Sequence, residues 1–266
     1  MYLKFTQMRK TVQNLKVISN LQLNDYHHVL QLQSPDQLET IDPGQFANLM
    51  VDHSPNVFLR RPFSIYSVDY LNNTISIFIK VIGEGTRSLA HLTVGTDVSV
   101  IFPLGVGFTL PASTQKILLV GGGSGVASLM GLAQVLRKDD HDISILIGAR
   151  SSADLVDLEN FSRFGKLFTT TEDGSHGVKG YVTNHPVFTE QLDRFERIYT
   201  CGPDPMMKAV AAMAKLNAVF CEASLENTMA CGFGVCLCCV TETTQGHKCV
   251  CTDGPVFNTN QLKWQI

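Results

Sequence analysis

Between about residues 10 and 110 the apolar positions recur every second residue, the period of half-buried β-strands. VISNLQL (17–23) and VLQLQ (29–33) alternate apolar and polar residues on either side of Asn24-Asp25, which predicts a hairpin. SIYSVDY and TISIFIKVI flank Asn72-Asn73 and predict a second one, and DVSVIF (97–102) predicts a further strand that stops at Pro103. A short helix is expected at Thr86–Leu92. Several short strands with Gly and Pro punctuation suggest a small closed antiparallel barrel or a sandwich.

Near Pro111 the pattern changes. KILLV (116–120) is a continuous apolar strand, followed by GGGSG and a helical stretch from Val126 to Arg137. ISILIGA (143–149) reads as the next strand, with a second helix expected at Ala153–Phe161. RIYTC (197–201) then runs into CGPDP and the helical MMKAVAAMAKL. Strands alternating with helices predict an α/β domain with a parallel sheet, whose ligands sit outside the carboxyl ends of the strands. Those ends carry Gly121–Gly125, Gly148-Ala149-Arg150 and Cys201-Gly202-Pro203. From about residue 223 the chain is short-patterned, loop-like and rich in cysteine. The expected organisation is three modules, at 1–111, 112–222 and 223–266.

A chain of 266 residues with 44 % hydrophobic and 17 % charged residues can bury substantial cores. Its net charge of −3 gives no electrostatic case for nucleic acid or an anionic membrane as partner. No apolar run approaches the ~18 residues that span a bilayer. MYLKFTQMRKTVQN lacks the features of a signal peptide, so a cytoplasmic protein is expected.

Six of the eight cysteines fall within residues 231–251. Such crowding in a large chain suits metal binding better than a disulfide framework. Cys231, Cys236 and Cys239 have the C-x4-C-x2-C spacing of plant-type [2Fe–2S] sites, which add one distant cysteine; Cys249 and Cys251 both follow. Gly232 and Gly234 suit a loop turning tightly round a cluster. Zinc held by Cys236/Cys239 with Cys249/Cys251 is the alternative, although C-x-C is tighter than its usual hooks. Cys201 and Cys221 stand apart and read as buried structural thiols.

GGGSG between strand and helix would let a phosphate approach backbone N–H groups, but it is not the strict G-x-G-x-x-G fingerprint and can be purely structural. CGPDP at a later strand end strengthens the nucleotide reading. Arg150 could grip a 2′-phosphate or simply be solvated. RPFS (61–64) could pair a pyrophosphate, and GEGTRSL (83–89) offers a glycine turn with a hydroxyl at a helix start.

In this order the pieces resemble the ferredoxin–NADP reductase superfamily. RPFSI, GEGT, PLGVGF, GGGSGVASL, GAR, TEDGSHGVKGYV, CGPDPMM, MACGFGVCLCC and CTDGPVF resemble, within it, the dihydroorotate dehydrogenase B electron-transfer subunits over nearly the whole chain. The resemblance implies a barrel that binds FAD, an α/β domain that binds NAD and a C-terminal [2Fe–2S] module. It places Arg61, Pro62, Phe63 and Ser64 at the flavin and its phosphates. Ile79, Lys80 and Val81 would lie along the isoalloxazine or ribityl chain, with Gly85 and Thr86 at the FAD pyrophosphate. Gly121, Gly122, Gly123, Gly125 and the Cys201-Gly202-Pro203 loop would receive NAD, and Cys231, Cys236, Cys239 and Cys251 the cluster, leaving Cys238 and Cys249 as extra thiols. Two departures stand out: Phe63 replaces a frequent Tyr, and Val126-Ala127-Ser128 replaces Val-Pro-Pro after the glycines.

The implied activity carries electrons from the cluster through FAD to NAD+, without a catalytic side-chain acid or base, in pyrimidine (UMP) biosynthesis. Its implied partner is a separate FMN-containing dihydroorotate dehydrogenase catalytic subunit, in a heterotetramer of two of each. A reductase that passes electrons from NAD(P)H to a ferredoxin or an oxygenase needs nearly the same parts. Related ferredoxin:NADP oxidoreductase subunits commonly have Asp at the first cluster position, so Cys231 favours the dihydroorotate reading. A third alternative is a non-enzymatic zinc-binding interaction protein.

Overall fold

The structure, a computed structural model, describes residues 10–264 apart from residues 53 and 55. The first hairpin, β1 (Thr11–Asn24) and β2 (His27–Gln33), turns at Asn24-Asp25, where the Asn24 side chain accepts bonds from the N–H groups of Tyr26 and His27. Next come β3 (Phe46–Leu49), β4 (Arg61–Asp69), β5 (Thr74–Lys80), the short helix α1 (Glu84–Ala90) and β6 (Asp97–Leu104). The six strands close into an antiparallel barrel in the order β1-β2-β5-β4-β3-β6, with β6 returning to β1. Alternation sets the inside: Leu15, Val17, Leu30, Leu32, Ala47, Leu49, Ile75, Ile77, Ile79, Val98 and Val100 share one core.

Three details depart from the sequence pattern. FANL, too short to show an alternation, is the strand β3. β6 does not stop at Pro103 but continues to Leu104. Its register against β3 slips between Phe46↔Leu104 and Asn48↔Ile101, so the proline falls in a bulge where a missing N–H breaks no ladder bond. The helix α1 starts at Glu84, two residues before the expected Thr86, because the Thr86 hydroxyl accepts from the N–H groups of Ile82 and Gly83 and winds the turn earlier.

The second unit runs through β7 (Lys116–Gly122), α2 (Val126–Lys138), β8 (Asp142–Ala149), α3 (Leu158–Ser162), β9 (Lys166–Thr171), β10 (Val178–Lys179), α4 (Pro186–Thr189), β11 (Arg197–Cys201), α5 (Asp204–Leu216) and β12 (Phe220–Ser224). The helix expected at Ala153–Phe161 is broken: Ser152–Asp154 forms a single 3-10 turn, and α3 begins only after Asp157, which takes a left-handed φ of 57°. Asp157 is used to clasp the barrel, its carboxylate accepting from the buried Tyr66 hydroxyl and from Asn160. One sheet face packs with α2 and α3, the other with α4 and α5.

The cysteine-rich tail is more structured than its composition suggests. A hairpin of β13 (Val240–Thr243) and β14 (Gly246–Cys249) leads into the one-turn helix α6 (Val250–Asp253) and then β15 (Val256–Asn258). β15 pairs antiparallel with β12 and completes a seven-stranded sheet, β10-β9-β8-β7-β11-β12-β15, otherwise parallel. Among the described residues no helix is long and apolar enough to cross a membrane.

Candidate functional site

The cysteine loop lies between β12 and β13, pinned from two sides. Gly232 (φ +80°) and Gly234 (φ +89°) turn it, and a Cβ on either would stand 2.8 Å from the Asn48 amide nitrogen or the Thr252 methyl, respectively. Cys231 neighbours Cys236, and Cys251 neighbours Cys239. The Cys251 N–H also points at the Cys239 sulfur, at 3.4 Å. Burial opposes ionisation of Cys231, but the N–H groups of Phe233 and Cys236, the Cys236 thiol and the Val235 N–H outweigh it and bring the thiol down to about 6. Cys251 is pushed up to about 12 by burial and by its thiol partner Cys239. Cys238 is exposed, and Cys249 is held in the β13–β14 ladder opposite Val240.

Among the described residues no three His, Cys, Asp or Glu side chains converge as a single ion would require. The four thiols instead form two pairs, the donor set of a two-iron cluster with two thiolates on each iron. The residues therefore fit a [2Fe–2S] group, with backbone N–H groups already aimed at sulfur.

Beside this loop a cleft of about 580 Å³ opens between the barrel, α2 and the segment after β12. Arg61, Pro62, Phe63 and Ser64 line it from β4, and Thr86 from α1. Gly85 lies against Arg61, whose Nε would be 3.2 Å from a Cβ there. Phe78 and Lys80 face the cleft from β5, whereas the side chain of Ile79 is fully buried in the barrel core and Val81 packs on that core. Any role of Ile79 in the cleft thus falls to its backbone. Strand alternation in TISIFIK contains this signal: inward Ile77 and Ile79 leave Phe78 and Lys80 outward. Phe46, Ser124, Ser224, Glu226 and Met229 also line the cleft; Ser124 lies in GGGSG and Met229 opens MACGFGVCLCC, whereas Phe46, Ser224 and Glu226 carry no motif that marks them in the sequence. The Glu226 carboxyl is open to the cleft; desolvation raises it while Lys80 opposes. The cleft, lined by a guanidinium, by the Ser64 and Thr86 hydroxyls and by the rings of Phe46, Phe63 and Phe78, fits a flavin nucleotide.

A second cavity of about 640 Å³ lies at the carboxyl ends of β7, β8, β9 and β11 and shares Lys80 with the first. Gly122, Gly123, Arg150, Asp154, Glu172, Tyr181 and Pro203 line it. The other sequence-predicted residues serve packing. Gly121 lies under Val126 and Leu129, Gly125 and Gly202 bring two loops into backbone contact, and Cys201 is wholly buried, its thiol pushed up by burial. Arg150 is exposed and paired with Asp154 at 3.5 Å. Gly123, open to the cavity at φ +56°, and the turn leading into α2 fit a dinucleotide's phosphates.

Comparison with known proteins places two domain families on the chain. Residues 226–263 match the model of the iron-sulfur cluster binding domain of dihydroorotate dehydrogenase B, and residues 119–212 that of the oxidoreductase NAD-binding domain. The dihydroorotate dehydrogenase B (NAD(+)) electron transfer subunit of Shouchella clausii is 35 % identical, covering 96 % of this chain and 99 % of the relative. That of Bacillus caldolyticus is 38 % identical over 84 % of this chain and 88 % of its own. A solved NADH-dependent reduced ferredoxin–NADP oxidoreductase, described for flavin-based electron bifurcation, is 27 % identical with a TM-score of 0.82, covering 97 % of this chain and 92 % of that one.

Proposed function

The chain belongs to the family of dihydroorotate dehydrogenase B electron-transfer subunits, and from that premise we propose that it moves electrons from a dihydroorotate-oxidising FMN subunit to NAD+ through a [2Fe–2S] cluster and FAD. When bound, FAD supplies the exchange between single-electron and hydride chemistry that joins an iron–sulfur cluster to a nicotinamide. Cys231, Cys236, Cys239 and Cys251 hold the cluster. Arg61 and Thr86 take the FAD phosphates, Pro62, Phe63 and Ser64 line the flavin, and Gly122, Gly123 and Pro203 receive NAD. No side chain of this chain performs orotate chemistry.

One observation carries the reading: the three sites are contiguous. Phe46 and Leu225 line the flavin cleft and pack in the same apolar cluster as Cys239 and Cys251. Lys80 lines both the flavin cleft and the nucleotide cavity. The cluster loop also presents Phe233, Val235 and Leu237 to solvent, at 44 %, 74 % and 62 % exposure, beside the exposed Cys236. An apolar rim at the cluster suits docking of the FMN subunit. The assembly we propose holds two copies of each chain and supports pyrimidine synthesis.

The test is anaerobic reconstitution with an FMN-bearing dihydroorotate dehydrogenase subunit from the same cell, following NADH formation from dihydroorotate and the mass of the complex. Activity that needs both proteins upholds the reading. No activity, with the flavin still reduced by NADH and the cluster intact, would give the function to a ferredoxin-linked reductase instead. The full-length likeness to a ferredoxin–NADP oxidoreductase supports that second reading.

A further inference from the structure

Asn48 is an anomaly of the barrel. It lies on β3 at 1 % exposure, and its Oδ1 is buried without a hydrogen-bond partner. A stranded buried acceptor is destabilising, so an apolar residue would be the more stable choice at a site that only fills space. Alternation explains which way it points: Ala47 and Leu49 enter the barrel core, while Phe46 and Asn48 face the cysteine loop. The Nδ2 group donates to the Cys231 carbonyl at 3.1 Å. The amide cannot be turned round, because its oxygen would then face that carbonyl oxygen. Gly232, the next residue, leaves the room for this contact.

The other side of Asn48 is equally constrained. Its backbone pairs with Pro62 of the flavin strand, and its carbonyl and that of Ser99 accept from Arg60 at 3.3 and 2.6 Å. One side chain therefore ties β3, the direct neighbour of the strand carrying the flavin motif, to the first cysteine of the cluster loop. Past that tether the chain turns so that the Phe233 N–H reaches back to the Cys231 sulfur at 3.5 Å. Hydrogen bonds to sulfur and nearby charge set the reduction potentials of such clusters.

We propose that Asn48 is a positioning residue for the iron–sulfur centre: its amide holds the Cys231–Gly232 peptide so that the loop N–H groups meet the cluster sulfur, which sets both the retention and the reduction equilibrium of the cluster. The inference rests on Cys231 being a cluster ligand. Asn48→Asp keeps the shape, removes the donor and places a carboxylate beside a group that gains negative charge on reduction. Asn48→Leu removes the tether.

The measurements are FAD content, the electron paramagnetic resonance spectrum, a mediated redox titration of the cluster, and the rate of iron loss to a chelator, on the full chain. With wild-type FAD content, Asn48→Asp makes the cluster about tenfold harder to reduce, a shift of about 59 mV for one electron. Asn48→Leu loses iron about tenfold faster. Wild-type potential and iron loss in both variants would overturn the proposal, as would loss of FAD and iron together, which marks a general folding role. A Cys231→Ser variant with an unchanged wild-type spectrum would instead remove the ligand assignment itself.

Discussion

Gly125→Ala tests the geometry of the nucleotide cavity without touching its lining. A Cβ on residue 125 would lie 2.5 Å from both the carbonyl carbon and the oxygen of Cys201. Ordinary carbon contacts need about 3.5 Å, so the two loops must part by about 1 Å. Neither can yield cheaply. Cys201 is the last residue of β11, paired with Gly121 on one side and Ser224 on the other. Gly125 leads directly into α2, whose Val126, Leu129 and Met130 are buried. Forcing a methyl into such a place costs about 1–3 kcal/mol of stability. Displacement by about an ångström costs up to about 100-fold in a rate that depends on alignment. The assay pairs a melting curve with anaerobic stopped-flow reduction of the flavin by NADH. The expected outcome is a lower Tm and NADH reduction slower by about 10- to 100-fold, with the cluster spectrum unchanged. A variant with wild-type melting and wild-type reduction would refute the claim that Gly125 and Gly202 fix the cavity by backbone contact.

The remaining predictions use other parts of the molecule. Cys251→Ser abolishes the [2Fe–2S] resonance and Cys249→Ser keeps it; the reverse would transfer the fourth ligand to Cys249. NADH reduces the flavin much faster than NADPH at equal concentration, because Arg150 is engaged by Asp154 and Glu172 faces the same cavity. Asp154→Asn combined with Glu172→Gln narrows that ratio by about tenfold, roughly what the loss of two like charges near a phosphate is worth; an unchanged ratio counts against it. Burial raises the Glu222 carboxyl, opposed by its bond from Thr109 and by Arg197. A folded-state value above the unfolded one means stability that is complete below the unfolded carboxylate range and lost as pH rises through the folded value. Glu222→Gln therefore raises Tm at pH 8 and not at pH 4, and an equal effect at both would refute the burial argument.

Much of the architecture follows from periodicity, and the exceptions have physical causes. α2 and β7 were legible because a continuous apolar run, a glycine turn and a 3.6-residue stripe lie in succession. β3 was not, since four residues show no period and the strand exists only through its pairing with β4 and β6. The break in Ala153–Phe161 is tertiary: Asp157 leaves the helix to meet Tyr66, 91 residues away in the chain. In the candidate sites the chemical type of each motif was legible, whereas the direction of its side chains depended on the fold. Glycines at 121 and 125 belong to a phosphate-type loop, but packing uses Gly121 to seat Val126 and Leu129 of α2 and Gly125 to bring two backbones together. Asn48 and Glu226 carry no local signal, because a residue that buttresses a site from another module is defined by contact across the fold.

The third module, expected as a loop-like stretch at 223–266, is built into the frame of the other two. The chain leaves the nucleotide sheet at Ser224, forms the cysteine loop against β3, and re-enters the same sheet at Val256 beside the strand it left. Val106 and Pro255 bridge the barrel's exit to that return, and the Val106 N–H donates to Gly254 at 2.6 Å. Cys239, Cys251, Phe46, Met207 and Phe257 consequently share one apolar core drawn from all three units. Electron transfer depends steeply on separation, and a tethered domain would let that separation wander. Closing the cysteine loop between two paired strands makes the cluster-to-cleft spacing a property of the folded core rather than of a linker. Loosening that core then slows electron passage before it releases either cofactor: Phe257→Ala, expected to cost about 3–5 kcal/mol, should slow reduction of the cluster by NADH while the flavin is still reduced at the wild-type rate. Equal slowing of both steps would show that the shared core does not set the spacing.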